Sequence, residues 1–296
     1  MTRLHVVDGT YELYRAHYSK RPGKTAPDGL DVKATAGVMG SLLSLLADPA
    51  EAVTHLAVAF DNPIESFRNR MFDGYKTGEG MEGELVAQMD LVEEAVRALG
   101  IVVWSMNEFE ADDALATAAS IYAHEFDQVR IMTADKDLGQ CVVGEHVVQV
   151  DRMRERVIDA DGVRERNGVA PASIPDWLAL VGDSADGIPG VPGFGAKTAA
   201  TLLQAYEHIA QIPEDHEQWS VKVRGAPRLA ATLNPMRGDA ELYRQLAVLR
   251  SDVPLRETPE DLRWRGAQRD AFEKIAARLG GLTLTPPRFL DDGQLF

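Results

Sequence analysis

The chain has 296 residues, 45% of them hydrophobic and 26% charged, with a formal net charge of −15. That length allows one large domain or two modest ones around a real core, and no apolar run approaches the roughly 18 residues of a membrane span, so no membrane partner is expected. A single cysteine, Cys141, leaves no internal disulfide and suits a cytoplasmic setting.

In chain order, Leu4–Val7 reads as a strand and Ala34–Leu46 as an amphipathic helix. Thr54–Phe60 is a second strand, Leu85–Leu99 a helix, Ile101–Trp104 a third strand, and Ala111–Tyr122 another helix. Val129–Met132 and Val147–Val150 complete the strands. Strands alternating with helices predict an α/β domain with a mainly parallel sheet over residues 1–165. Beyond it the pattern becomes helical with Gly/Pro punctuation. A helical domain is expected over 166–260 and a C-terminal extension over 261–296, its end from Pro286 onward poorly anchored. His5 and Trp177 sit at positions of core periodicity. Arg152, Arg154 and Arg156 alternate as on an exposed edge or hairpin, and Lys20, Arg21 and Lys24 form a short basic loop.

The carboxylates fall at strand ends and helix starts. Asp8 ends the first strand and Asp61 the second. Glu110, Asp112 and Asp113 open the helix after the third, and Asp135 and Asp137 follow the fourth. In open α/β sheets, ligands sit beyond the carboxyl ends of the strands. Each acid alone suits a turn or a helix cap. Gathered at one edge, they would repel one another unless cations neutralised them. An all-oxygen set without His or Cys suits Mg²⁺ or Mn²⁺, and two such ions about 4 Å apart can activate water and stabilise the leaving oxygen of a phosphodiester. Asp8-Gly9-Thr10 also invites an aspartyl-phosphate mechanism, but Val6 stands where that chemistry needs its nucleophilic Asp.

Residues 182–199 carry the other signal. Asp183 and Asp186 lie three apart; Gly190, Gly193 and Gly195 follow, and Lys197 and Thr198 open an apolar helical run. Glycines permit close backbone approach to a phosphate, and a helix N-terminus offers free N–H groups. A nucleotide P-loop is excluded because Ala196 separates Gly195 from Lys197. The acidic excess lies mostly in residues 1–165. Local basic groups would therefore have to grip a polyanion, in a salt-sensitive way.

Taken in order, Val7-Asp8-Gly9-Thr10, Tyr14-Arg15-Ala16, Phe60-Asp61, Phe67-Arg68, Tyr75-Lys76, Glu110-Ala111-Asp112-Asp113, Asp135-Lys136-Asp137 and Gly182-Asp183-Ser184 resemble the bacterial and phage 5′-nuclease (flap endonuclease) family. The resemblance implies a PIN-like nuclease core followed by a helix–three-turn–helix domain. It implies a structure-selective 5′–3′ exonuclease and flap endonuclease acting on DNA in repair or replication. Its substrates would be 5′ flaps and 5′ ends at duplex/single-strand junctions, its metals two Mg²⁺ ions with Mn²⁺ able to substitute, and its state monomeric. Asp8, Asp61, Glu110 and Asp112 would serve mainly one ion, with Asp113 bridging or standing behind. Asp135, Asp137, Asp183 and Asp186 would serve the other. Lys76 and Arg68 would be the catalytic basic groups near the scissile phosphate. Arg15, Arg70, Gly190, Gly193, Gly195, Lys197 and Thr198 would touch DNA, with K⁺ among the turn carbonyls. The alternatives are a branched-DNA binding protein with little catalysis and a PIN-type ribonuclease. Three departures stand out. Glu79 replaces the usual arginine in a glycine-rich acidic arch, which would weaken its hold on single strands. Gly187 replaces the usual Asn, and Ala134 replaces Gly.

Overall fold

The computed structural model describes residues 2–282 and 285–290. The chain opens with β1 (Arg3–Asp8), α1 (Gly9–His17), α2 (Lys33–Ala47), β2 (His55–Asp61), α3 (Arg68–Met71), α4 (Gly83–Val86) and α5 (Met89–Ala98). It continues through β3 (Val102–Met106), α6 (Ala111–Ile121), β4 (Gln128–Met132), β5 (Val147–Asp151), β6 (Arg156–Ile158) and α7 (Ala160–Asn167). It ends with α8 (Ile174–Val181), α9 (Ala196–Tyr206), α10 (Ala226–Leu233), α11 (Arg237–Ala247) and α12 (Arg269–Arg278). No helix among the described residues is long and apolar enough to cross a membrane. Two compact units emerge. One contains the residues up to Glu65, Gly78–Met132 and those from Ser251 on; the other contains Ser66–Thr77 and Thr133–Arg250.

In the first unit β1 pairs in parallel with β2 and β4, and β2 pairs in parallel with β3. Leu4, Val6 and Val7 of β1 and Leu56 to Phe60 of β2 are buried. Strands covered on both faces need such near-continuous apolar runs. His5 is fully buried as well, as its position in the strand predicted. The helix expected over 85–99 is divided into α4 and α5 by an interaction the sequence does not advertise. Gln88 is buried at the junction, and its Oε1 accepts from the backbone N–H and hydroxyl of Thr35 at 3.0 and 3.1 Å. It thereby serves the first turn of α2, whose N-cap Val32 has no side chain able to do so.

Residues from Ser251 onward return to this unit. Tyr122 donates its hydroxyl to the Glu257 carbonyl at 2.6 Å, and Trp264 Nε1 donates to the Leu99 carbonyl at 2.8 Å. α12 packs on α5. The expectation of a loose end from Pro286 needs correction at Phe289, which bridges to Ala267, packs edge-on against Phe272 and carries the Arg269 guanidinium on its face. The rest of that expected tail, from residue 291, lies outside the described residues.

The second unit contains the antiparallel β5–β6 hairpin and helices around a core of Trp177, Leu178, Leu180, Ile188, Phe194 and Leu203. α8 is its axis, packing on α9 and α11. Pro175 fits in the first turn of α8, where its missing N–H costs nothing, and Gly182 ends the helix. Trp177 is a core anchor whose Nε1 donates to the Ala196 carbonyl at 3.2 Å, fixing the start of α9.

Candidate metal centre

In the second unit, two short loops meet. The loop after β4 is shaped by its own acids: Asp135 N–H donates to Thr133 Oγ1 at 3.2 Å, and Asp137 N–H donates to Asp135 Oδ1 at 2.9 Å. The turn after α8 is a tight hairpin in which Asp183 and Ile188 exchange both backbone hydrogen bonds at 2.8 Å. Asp183 Oδ1 also accepts from Ala185 N–H at 2.8 Å. As a result Asp137, Asp183 and Asp186 each present one oxygen, and these oxygens lie within 4.8 Å of one another.

A third segment, Gly74–Lys76, presses against this turn. Lys76 N–H donates to the Asp186 carbonyl at 3.0 Å, and a Cβ on Gly187 would stand 2.1 Å from the Gly74 carbonyl oxygen. At φ 75° and with that contact, only glycine fits, which accounts for the departure from Asn. A Cβ on Gly190 would likewise meet the Gly182 nitrogen at 2.6 Å, so this glycine closes the hairpin onto the end of α8.

Two lysines balance the charge. Lys76 Nζ lies 2.9 Å from Asp186 Oδ1, while Lys136 Nζ hydrogen-bonds Asp183 Oδ2 and stands 3.6 Å from Asp137 Oδ1. Burial, and then the Asp135 carboxylate, push the Asp137 carboxyl well above the usual range. Asp183 moves the other way. Burial works against it, but hydrogen bonds from Lys136 and Ala185 hold it below the ordinary value. Burial would also lower the Lys136 ammonium, yet Asp137 and Asp183 together raise it. One oxygen remains unserved. Asp137 Oδ1 is buried with no hydrogen-bond partner, which is costly for a carboxylate in a protein interior. A hard divalent cation with oxygen ligands would satisfy it, so the donor set fits Mg²⁺ or Mn²⁺.

The loop is braced from behind. Arg166 donates from Nη1 to Gln149 Oε1 at 2.9 Å and from Nη2 to the Lys136 carbonyl at 3.2 Å. Gln149 Nε2 reaches the carbonyls of Thr133, at 3.2 Å, and Asp135. Burial lowers the Arg166 guanidinium despite nearby Asp135 and Asp137. Reading the sequence for ligands missed Lys136, Arg166 and Gln149 as parts of the site. Lys136 had a signal in its place between two aspartates; the other two had none.

The first unit holds the remaining acids. Asp8 caps α1, its Oδ1 accepting from Tyr11 N–H at 2.8 Å. Thr10 Oγ1 accepts from Asp61 N–H at 2.8 Å, and Asp61 Oδ1 accepts from Ala111 N–H at 2.7 Å. These contacts bring Asp8, Asp61 and the start of α6 to the carboxyl ends of β1 and β2. Glu110 and Asp113 form a capping box, with Glu110 N–H on Asp113 Oδ2 at 3.0 Å. Glu110 and Asp113 are buried and Asp112 is half-buried. Asp135, Asp137, Asp183 and Asp186 belong to the second unit.

The basic residues divide. Arg68 is fully buried, with Nε on the Leu246 carbonyl at 2.8 Å and Nη2 on the Val248 carbonyl at 3.0 Å, so it anchors packing in the second unit. Arg15 is paired with Glu12 and reaches Ser41 Oγ at 3.2 Å, and Arg70 is exposed. Gly193, Gly195 and Lys197 are exposed and Thr198 half-buried at the start of α9, where Gly195 has open space around its Cα. The N–H groups of that first turn have no intrahelical acceptor.

A family described as 5′-3′ exonuclease, N-terminal resolvase-like domain, matches residues 3–168. One described as 5′-3′ exonuclease, C-terminal SAM fold, matches residues 169–270. The 5′-3′ exonuclease of Aquifex aeolicus is 31% identical over 285 residues, covering 96% of this chain and 93% of its own length. DNA polymerase I of Pseudomonas aeruginosa is 38% identical over 261 residues, 85% of this chain but only 28% of the polymerase. The structure of T5 5′-exonuclease with zinc ions bound shares the fold at a TM-score of 0.67 and 18% identity, covering 94% of this chain and 98% of its own. The expectation of a PIN-like core with a mainly parallel sheet, followed by a helical domain, is borne out.

Proposed function

This chain belongs to the 5′-3′ exonuclease family, and from that membership we propose a metal-dependent, structure-selective nuclease that trims 5′ ends and cuts 5′ flaps on DNA. The observation that carries the proposal is the convergence of Asp137, Asp183 and Asp186, together with a buried Asp137 oxygen that has no hydrogen-bond partner.

Asp135, Asp137, Asp183 and Asp186 would hold one Mg²⁺ ion, with Mn²⁺ as a substitute. Asp8, Asp61, Glu110 and Asp112 would hold a second, with Asp113 orienting Glu110 through the capping box. Bound there, the ions would supply the charge that activates water and stabilises the leaving oxygen of the phosphodiester. The chain's own contribution is positioning. Lys76, fixed by its backbone to Asp186, sets a positive charge beside the acids, where it can offset charge developing on a phosphate. Arg68, by contrast, would support this segment from the core.

Gly193, Gly195, Lys197 and Thr198 present the N-terminal turn of α9 to the duplex backbone, a favourable place for phosphate. K⁺ coordinated by carbonyls of the preceding turn would fit this arrangement. Arg15 and Arg70 would add local positive charge. Phosphate contacts position without reading bases, so sequence preference should be slight. In this reading residues 1–165 are catalytic, 166–260 bind DNA and 261–296 extend the chain. The protein works as a cytoplasmic monomer in repair or replication.

The test is a labelled 5′-flap DNA, with single-stranded and RNA counterparts, in Mg²⁺ and in EDTA. Mg²⁺-dependent cleavage at the flap junction is expected, lost when Asp135→Asn is combined with Asp183→Asn while binding persists. Cleavage confined to RNA would make the chain a ribonuclease; flap binding without cleavage would make it a branched-DNA binding protein.

A further inference from the structure

We propose that Lys136 is the protein's own counter-cation for the carboxylate cluster, and that a divalent ion must displace its ammonium group in order to bind. The proposal rests on the reading of Asp137, Asp183 and Asp186 as metal ligands. Lys136 Nζ hydrogen-bonds Asp183 Oδ2 and lies 3.6 Å from Asp137 Oδ1, so it stands among the oxygens that a metal would need. Its fit is incomplete. At 3.6 Å it is too far to donate to Asp137 Oδ1, which stays without a hydrogen-bond partner. A divalent ion bonded at about 2.1 Å to these oxygens would carry twice the charge and leave none of them unserved.

The side chain is free to leave. Its backbone is held independently, the carbonyl accepting from Gly139 N–H at 3.0 Å and from Arg166 Nη2 at 3.2 Å. The Lys136 side chain is 38% exposed, so turning it into solvent uncovers little new surface. Lys76 differs, because its own N–H is tied to the Asp186 carbonyl, beside an ammonium that lies 2.9 Å from Asp186 Oδ1. Lys136 therefore relieves carboxylate repulsion in the metal-free protein and competes with the metal for Asp183.

Mn²⁺ titration followed by electron paramagnetic resonance, on the full chain without DNA, tests this. Lys136→Met should bind Mn²⁺ roughly tenfold more tightly, since one competing positive charge is gone, and Lys136→Arg should stay near the parent. Lys136→Met should melt below the parent in EDTA and level with it in saturating Mn²⁺. Unchanged or weaker Mn²⁺ binding by Lys136→Met would overturn the proposal.

A measurement on the unaltered chain guards against a variant that does not fold. Acylation of Lys136, mapped by mass spectrometry, should accelerate when Mn²⁺ is added, and an unchanged rate would also refute displacement. Asp183→Asn serves as the control for the underlying reading. If it leaves Mn²⁺ binding intact, the metal site itself is wrong and the role of Lys136 falls with it.

Discussion

Lys76 is joined to Asp186 twice, by its backbone N–H on the Asp186 carbonyl at 3.0 Å and by its ammonium 2.9 Å from the carboxylate. The first contact fixes the chain; the second can be surrendered without loosening it. Lys76→Ala should thus remove charge and keep the turn. We expect kcat for flap cleavage to fall by about 10²- to 10³-fold with KM little changed, the size found for removing one group that acts on transition-state charge. An effect confined to KM would place Lys76 in substrate binding instead.

Gly187→Asn should fail as a return to the family's usual residue. Asn tolerates the positive φ of this position, but its Cβ would still meet the Gly74 carbonyl oxygen at 2.1 Å. A loss of about 2–4 kcal/mol is expected in urea unfolding, the scale of strain in a packed interior. An unshifted midpoint would show that the 74–76 segment can move away.

Arg68 separates two readings of a basic residue. Its buried guanidinium serves the carbonyls of Leu246 and Val248 and lies 4.6 Å above the Phe67 ring centre. Arg68→Met should cost about 2–4 kcal/mol by stranding those carbonyls. Lys at this position should rescue only in part, because it lacks the fork. Folded Arg68→Met should cleave at close to the parental kcat below its melting temperature. A large kcat deficit there would restore the catalytic role expected from the motif.

Acid should weaken the first unit through His5, Glu51 and Arg130. His5 is buried, and burial lowers its pKa below 6.5 despite the hydrogen bond to Glu51 at 3.0 Å. For Glu51, burial works upward, but His5 and Arg130 bring it down to about 2. Both groups bind fewer protons folded than unfolded. The His5 contribution is complete above pH 6.5 and is lost as pH falls below it, and that of Glu51 is complete above about 4.5 and lost between about 4.5 and 2. Glu51→Gln should lower the melting temperature at pH 7 and flatten the profile below pH 4.5. A parallel profile for the variant would remove Glu51 from the account.

Much of this was legible along the chain. The strands from β1 to β5 lie where apolar runs end in Asp or a turn, and α2 and α6 follow their helical periodicity to within a residue or so. The break at Gln88 was not legible, because a buried amide on Thr35, 53 positions away, decided it. Phe289 was hidden for the same reason, since its anchors Ala267, Phe272 and Arg269 declare themselves only on folding.

The acids divide along the same line. Their type and their places at strand ends and helix starts were enough to raise the expectation of a hard cation, since ligand chemistry depends on residue identity. Which oxygens converge was a matter of folding. Asp183 reaches Lys136 across 47 positions, and a backbone contact with Gly74 settles why residue 187 must be glycine. Short-range pattern specifies what a side chain can do. Hydrogen bonds and close packing between distant segments specify whether it is free to do it, as Arg68, held on the Leu246 and Val248 carbonyls, and Asp137, with a buried oxygen that accepts no hydrogen bond, make plain.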